Sequence, residues 1–196
     1  MLLRPYQEIA VNSASDALDK HGNTVVVAPT GAGKTIMLSS LIGKRKDNKN
    51  VLVLQHRDEL VKQNMDKFKR VNPNISTSVV NAEAKDWSGD TVFSMVQTLS
   101  RPNNLQNMKP IDMVVVDESH HIVADTYLRI INHAKQTNEN VEIVGFTATP
   151  NRGDKKGLRE VFTNCSHQIE ISTLIREGFL VTPRTYVIDV GVRSEL

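Results

Sequence analysis

The chain has 196 residues, of which 39% are hydrophobic, 23% charged and 5% aromatic, and its 24 basic and 22 acidic side chains leave a formal charge of +2. That length fits one domain with a core large enough to fold without disulfides or a structural metal, and the composition excludes a disordered chain. The near-neutral balance neither demands nor excludes nucleic acid, because a groove can be basic while the average is not, and so few aromatics advertise no base-stacking platform.

The opening MLLRPYQEIA lacks the apolar core and cleavage site of a secretory signal. No apolar run reaches transmembrane length. Cys165, the single cysteine, excludes an internal disulfide and a cysteine-cluster metal site. The expectation is a soluble protein, cytoplasmic or otherwise intracellular, with no membrane partner. RPYQ, Arg4–Gln7, reads locally as a helix start, with Pro5 in the first turn and Tyr6 and Ile9 packed inward.

Six short apolar strings, rich in β-branched residues, predict strands at Thr24–Ala28, Val51–Leu54, Ile75–Val80, Thr91–Val96, Ile111–Val116 and Val141–Phe146. Several are apolar throughout, which favours a parallel sheet covered on both faces. Helical patterns fall between them. Met37, Leu38, Leu41 and Ile42 share one face, as do Leu60, Val61, Met65 and Phe68 after a candidate cap at Asp58. Tyr127, Leu128, Ile131 and Ala134 repeat the pattern. This alternation predicts a layered α/β fold. A short helix is predicted over Ile169–Glu177 with Gly178 as its stop, followed by Phe179–Leu180 and a β-like string at Arg184–Val190.

The segment APTGAGKT, Ala28–Thr35, follows the first strand and precedes the second helical pattern, which is the context a phosphate loop requires. Gly31 and Gly33 permit a tight loop with inward-facing N–H groups, and the next helix adds its positive end. Lys34 can then reach the β- and γ-phosphates, and Thr35 can place its hydroxyl on Mg²⁺. Ala28 stands where the general pattern has its first glycine.

The second motif is VVVDESH, Val114–His120, which sets Asp117 and Glu118 at the carboxyl end of a strand, where open α/β sheets bind ligands. Asp117 suits Mg²⁺, directly or through water, and Glu118 suits orienting and deprotonating an attacking water. Taken alone, the pair also fits an acidic helix start. His120 and His121 beside it allow a transition-metal reading, which the phosphate loop disfavours by already implying a hard, oxygen-loving cation. The basic strings Lys44–Lys49 and Arg152–Arg159 read as a helix end entering solvent and as a charged loop; neither is assigned as a site.

The ordered set RPYQ, APTGAGKT, HRDEL (His56–Leu60), QTL (Gln97–Leu99), DESH and TATP (Thr147–Pro150) resembles the superfamily 2 helicases of the DExH, or DEAD/DEAH-box-like, group. It is most similar to DNA-handling members, including the motor parts of restriction enzymes. The likeness implies an α/β fold: a three-layer, RecA-like P-loop NTPase domain with a central, mostly parallel β-sheet. It implies ATP as the nucleotide, with Gln7 reading adenine beside Arg4 and Tyr6, and with Thr30, Gly31, Ala32, Gly33, Lys34 and Thr35 around the phosphates. Mg²⁺ would be held by Thr35 and Asp117, and Lys34, Asp117 and Glu118 would be catalytic.

The same resemblance implies contacts from Arg57, Gln97 and Thr98 to a nucleic-acid backbone, DNA being favoured weakly over RNA. Spacing alone leaves Arg57 open as a surface residue and the other two as a strand end. His120, Thr147 and Thr149 would couple the nucleotide state to movement. Ser119 departs from the family pattern, which has alanine there. Residues 1–182 are read as the first motor domain, and 183–196 as an exit strand or linker toward an absent second RecA-like domain. The implied function is the ATP-binding half of a nucleic-acid-dependent ATPase that translocates or unwinds in its full-length parent, nearly inactive alone. A nucleotide switch or small NTPase without motor activity, and a noncatalytic nucleic-acid-binding module, remain the alternatives.

Overall fold

The computed structural model describes residues 2–47, 49–149 and 157–182. Pro150, the basic residues Arg152, Lys155 and Lys156, and the string Arg184–Val190 lie outside the described residues. The elements run α1 (Pro5–His21), β1 (Asn23–Val27), α2 (Lys34–Arg45), β2 (Val51–Gln55), α3 (Asp58–Val71), β3 (Thr77–Val80), β4 (Thr91–Met95), α4 (Val96–Leu99) and α5 (Pro102–Leu105). They continue with β5 (Met113–Asp117), a 3₁₀ turn (Ser119–His121), α6 (Asp125–Thr137), β6 (Glu142–Thr147), α7 (Gly157–Val161), β7 (Cys165–Gln168) and α8 (Ile171–Arg176). The strand order is β3-β4-β2-β5-β6-β1-β7, and every pairing in this sheet is parallel.

Strand alternation divides the core into two layers. Val26, Val51, Val53, Phe93, Val115 and Phe146 pack under α1, α2 and α3. Leu52, Leu54, Val92, Val114, Val116 and Ile143 pack under α4, α6 and α7. The central strands are therefore apolar on both faces, as the sequence indicates. All six predicted strands are present, with ends shifted by one or two residues, some trimmed and some extended. A seventh, β7, pairs with β1 across a register shift between Val25 and Val26.

The segment Gln97–Leu99 is helical rather than a strand end, because Val96 and Leu99 turn under the second layer. The cap of α3 is Arg57, not Asp58. Asp58 sits inside the first turn, where the helix dipole favours its charge, and its carboxylate accepts from Asn81 Nδ2 at 2.9 Å.

Away from the carboxyl ends of the strands, the guanidinium of Arg45 ties three elements together. It donates to Ser15 O at 3.1 Å, Ser15 Oγ at 2.9 Å and Asp19 Oδ1 at 2.9 Å, and both oxygens of Glu142 accept from it. Lys49 joins Glu142 at 2.9 Å. Burial alone would raise the Glu142 carboxyl, but hydrogen bonds from Arg45 and Lys49 hold it below the ordinary value.

Candidate functional site

The candidate side chains meet at the carboxyl edge of the sheet, where β1, β2, β5 and β6 hand over to loops. After β1 the chain turns through a loop in which Gly31 and Gly33 have φ of +85° and +82°. These left-handed values strain any residue with a Cβ. Space adds a second demand, since a Cβ on Gly33 would stand 2.5 Å from Gln7 Nε2. Ala28 N donates to Thr147 O at 2.8 Å, which fixes the loop's first residue against β6. Thr30 and Gly31 are exposed, Ala32 is buried, and Lys34 and Thr35 open α2 with its unpaired N–H groups beside them.

The first helix packs directly against this loop. Tyr6 Oη and Gln7 Nε2 both donate to Ala32 O at 3.0 Å. Gln7 Oε1 accepts from Arg4 N at 3.0 Å, and Arg4 Nη1 donates to Tyr6 Oη at 3.3 Å. Phe179 completes the group: its ring meets Tyr6 edge-on at 5.0 Å, and the Arg4 guanidinium lies over it at 5.0 Å. The neighbouring Leu180 approaches Gly31. Phe179 and Leu180 were not among the sequence candidates; both are held by N–H donation to Leu174 O after the Gly178 turn.

Across the loop, Lys34 Nζ lies 3.6 Å from Glu118 Oε1. Asp117 ends β5 and is 7% exposed. Its Oδ1 accepts from Glu118 N at 3.0 Å and its Oδ2 from Asn64 Nδ2 at 2.8 Å. Burial chiefly, then the charge of Glu118, pushes the Asp117 carboxyl above its ordinary value against the pull of Lys34 and Asn64. Glu118 has φ 52° and ψ 51°, the one left-handed non-glycine among the described residues. That turn swings its carboxylate away from the strand and toward Lys34 and His120. Backbone strain at such a position, of about 1–3 kcal/mol, is characteristic of functional sites.

His120 Nδ1 lies 3.2 Å from Thr147 Oγ1 and 3.4 Å from Glu118 Oε2. Thr149 N donates back to Thr147 Oγ1 at 3.2 Å. The acidic pair, the histidine and both threonines of TATP thus form one connected polar group. Ser119 is fully buried against Gly145, and its Oγ has no hydrogen-bond partner among the described residues. The extra hydroxyl relative to alanine is tolerated sterically and left unpaired.

The third set of residues flanks this group. Arg57 is exposed at the N-cap of α3, next to a cavity of about 540 Å³ lined by His56, Arg57, Leu60, Glu118, His120 and His121. Gln97 is exposed on α4, whereas Thr98 is buried beside it at 6% exposure.

The donor set suits a hard divalent cation. Thr35 Oγ1 and the Asp117 carboxylate are oxygen donors of the kind Mg²⁺ takes. An orphan polar group supports this fit. Gln55 is 1% exposed with both amide atoms unpaired among the described residues. It alternates with Val51 and Val53 toward α2 and α3, in the strand beside Asp117. Its amide adds a buried polar group without a protein partner among the described residues beside the acidic pair.

A wholly parallel sheet with a glycine-rich loop and an acidic pair converging on its carboxyl edge marks a RecA-like nucleotide-binding domain. More particularly, the chain belongs to the family described as type III restriction enzyme, res subunit, whose model matches residues 1–152. It is 28% identical over 194 residues to the putative ATP-dependent helicase IRC3 of Saccharomyces cerevisiae, covering 91% of this chain and 28% of that protein. Among solved structures it superposes on the Pyrococcus furiosus Hef helicase domain with a TM-score of 0.73 at 21% identity, covering 89% of this chain and 39% of that one. The type ISP restriction-modification enzyme LlaGI, in complex with a DNA substrate mimic, gives a TM-score of 0.69 at 16% identity over 91% of this chain and 21% of that one. The chain spans about a third, or less, of the length of the curated relatives it matches. No helix among the described residues is long and apolar enough to cross a membrane.

Proposed function

We propose that this chain is the first motor domain of an ATP-dependent, nucleic-acid-stimulated helicase or translocase, and that a second RecA-like domain in the parent protein completes its active site. The observation that carries the reading is the convergence of Lys34 and Thr35 on Asp117 and Glu118 across the carboxyl edge of the sheet. In this reading the Lys34 ammonium balances charge on the β- and γ-phosphates. Thr35 and Asp117 would hold Mg²⁺, directly or through water, and the cation would supply charge neutralisation on the transferred phosphoryl group.

Glu118 orients the attacking water and takes its proton. Glu118 also lies 3.6 Å from Lys34; a phosphate that draws Lys34 to itself would leave the carboxylate free to act as a base. His120, between Glu118 and Thr147, passes the loss of the γ-phosphate to the TATP segment. Gln7 has one amide N–H and one carbonyl lone pair engaged within the protein. The remaining donor and acceptor can read the edge of adenine, which supports ATP as the nucleotide.

Arg57 supplies a positive contact to the nucleic-acid backbone, and Gln97 a polar one, with Thr98 packed beneath it. DNA is favoured weakly, on the named DNA ligand of a structural neighbour. Such a track implies an intracellular setting. Residues 183–196, outside the described residues, are assigned as the exit strand or linker toward that second domain. Without the arginine that domain supplies, worth ~10³–10⁵ in rate in phosphoryl transfer, the 196-residue chain hydrolyses ATP poorly. The test is ATPase turnover of the full-length parent with single-stranded DNA, duplex DNA and RNA. Stimulation by nucleic acid, abolished by Lys34→Ala and by Glu118→Gln, is the expected result. Turnover that neither substitution reduces overturns the assignment.

A further inference from the structure

Asn64 is a buried polar residue on an otherwise apolar stripe. It follows Val61 by three positions and precedes Phe68 by four, and all three are buried on α3. Its exposure is 3%. Such a site selects for a hydrophobic side chain unless the polar atoms are satisfied. Both are: Thr35 Oγ1 donates to Asn64 Oδ1 at 3.1 Å, and Asn64 Nδ2 donates to Asp117 Oδ2 at 2.8 Å. One amide therefore spans the two side chains that the proposed function assigns to the cation, and it does so from a third element.

The direction of these bonds matters. An amide cannot exchange its donor and acceptor ends without reversing both partners. Asp117 as a carboxylate accepts only, so Nδ2 faces it and Oδ1 faces Thr35. The Thr35 hydrogen is then committed to Asn64, and the hydroxyl oxygen keeps its lone pairs for another ligand. That is the orientation in which a hydroxyl can ligate a cation. Asp117 Oδ2 is likewise pinned while it keeps lone pairs for a ligand or a water.

Arg57 caps the same helix, seven residues before Asn64 and about two turns away. A shift of α3 when Arg57 meets a backbone phosphate would move the amide that orients both groups.

We propose that Asn64 is a positioning residue for the divalent cation: it sets the Thr35 hydroxyl and the Asp117 carboxylate in ligating orientation and ties the Arg57 helix to that site. The proposal rests on the nucleotide–metal reading above. The experiment titrates a fluorescent ATP analogue onto the 196-residue chain in EDTA and across a Mg²⁺ series, with wild type and Asn64→Leu compared. Removing an outer partner of a metal ligand typically costs ~10–100-fold in metal affinity. Asn64→Leu is therefore expected to raise the half-saturating Mg²⁺ concentration by about tenfold or more, and to leave the metal-free affinity as in wild type.

Equal Mg²⁺ dependence in the two proteins overturns the proposal, as does an equal loss with and without the metal, which would mark a merely structural role. A wild type whose nucleotide binding ignores Mg²⁺ overturns the parent reading instead, and the proposal with it. Asn64→Asp gives a second readout that does not depend on nucleotide and decides the matter alone if the leucine variant fails to fold. It sets another carboxylate against Asp117, so Mg²⁺ alone should raise its melting temperature by more than it raises that of wild type. An equal shift in both contradicts a place for Asn64 beside the cation.

Discussion

Replacing Arg45 with methionine tests whether the polar cluster behind the site holds α1, α2 and β6 in register. The Arg45 side chain is 9% exposed and that of Glu142 14%. Hydrogen bonds to charged groups contribute about 1.5–3 kcal/mol each. The contact with Asp19 adds little, since that carboxylate is 65% exposed and screened by water. Loss of the Ser15 and Glu142 bonds is partly offset by Lys49, which stays on Glu142, and by the apolar stem of methionine. The net loss is about 3 kcal/mol, which for a domain of this size lowers the melting temperature by roughly 6–12 °C.

The effect must also follow pH. Glu142 is held below its ordinary value in the folded state. Its contribution is therefore complete above the unfolded-state pKa and is lost as pH falls through the lower, folded-state value. Urea denaturation of both proteins at neutral and acid pH should show the gap between them narrowing on acidification. A loss below about 1 kcal/mol at neutral pH, or a gap that widens as the pH drops, would refute the reasoning.

Other substitutions probe the site itself. Gly33→Ala imposes left-handed strain of about 1–2 kcal/mol and sets a Cβ 2.5 Å from the Gln7 amide; nucleotide affinity by fluorescence titration should fall about tenfold or more, and an unchanged affinity would contradict the loop geometry. Ser119→Ala removes an unpaired buried hydroxyl and should stabilise the fold by about 1 kcal/mol in thermal melts; a loss of stability would mean that the hydroxyl has a partner. Gln7→Ala should weaken ATP binding more than GTP binding, and equal effects would remove adenine recognition from Gln7. Arg57→Ala should weaken binding of the parent protein to all nucleic-acid sequences alike and reduce the salt slope of that binding by about one; a sequence-dependent loss would argue against a backbone contact.

The central strands were legible because burial on both faces leaves near-continuous β-branched runs, as in Val51–Leu54 and Val114–Val116. β7 was not, because Cys165–Gln168 is a polar edge strand, recognisable by its pairing with β1 and not by its side chains. Only the start of α1 was read, and there Ile9, expected inward with Tyr6, is exposed; the inward face is made of small residues such as Ala10, Ala14 and Ala17. The phosphate loop and acidic pair are local motifs and could be read directly. The Arg4–Tyr6–Phe179 group joins residues from opposite ends of the described chain, and no local pattern announces it. Asn64 left a trace, an amide on the buried stripe of α3 between Val61 and Phe68, but its two partners are 29 and 53 residues away.

The central claim is a single Mg²⁺–nucleotide site built from the early loop and the later carboxylates. A crystal structure of the chain with Mg²⁺ and a non-hydrolysable ATP analogue addresses it most directly. The account predicts Lys34 Nζ on the phosphates and the cation held by both Thr35 Oγ1 and Asp117, directly or through one water. A nucleotide bound elsewhere, or a cation with no link to Asp117, would contradict it.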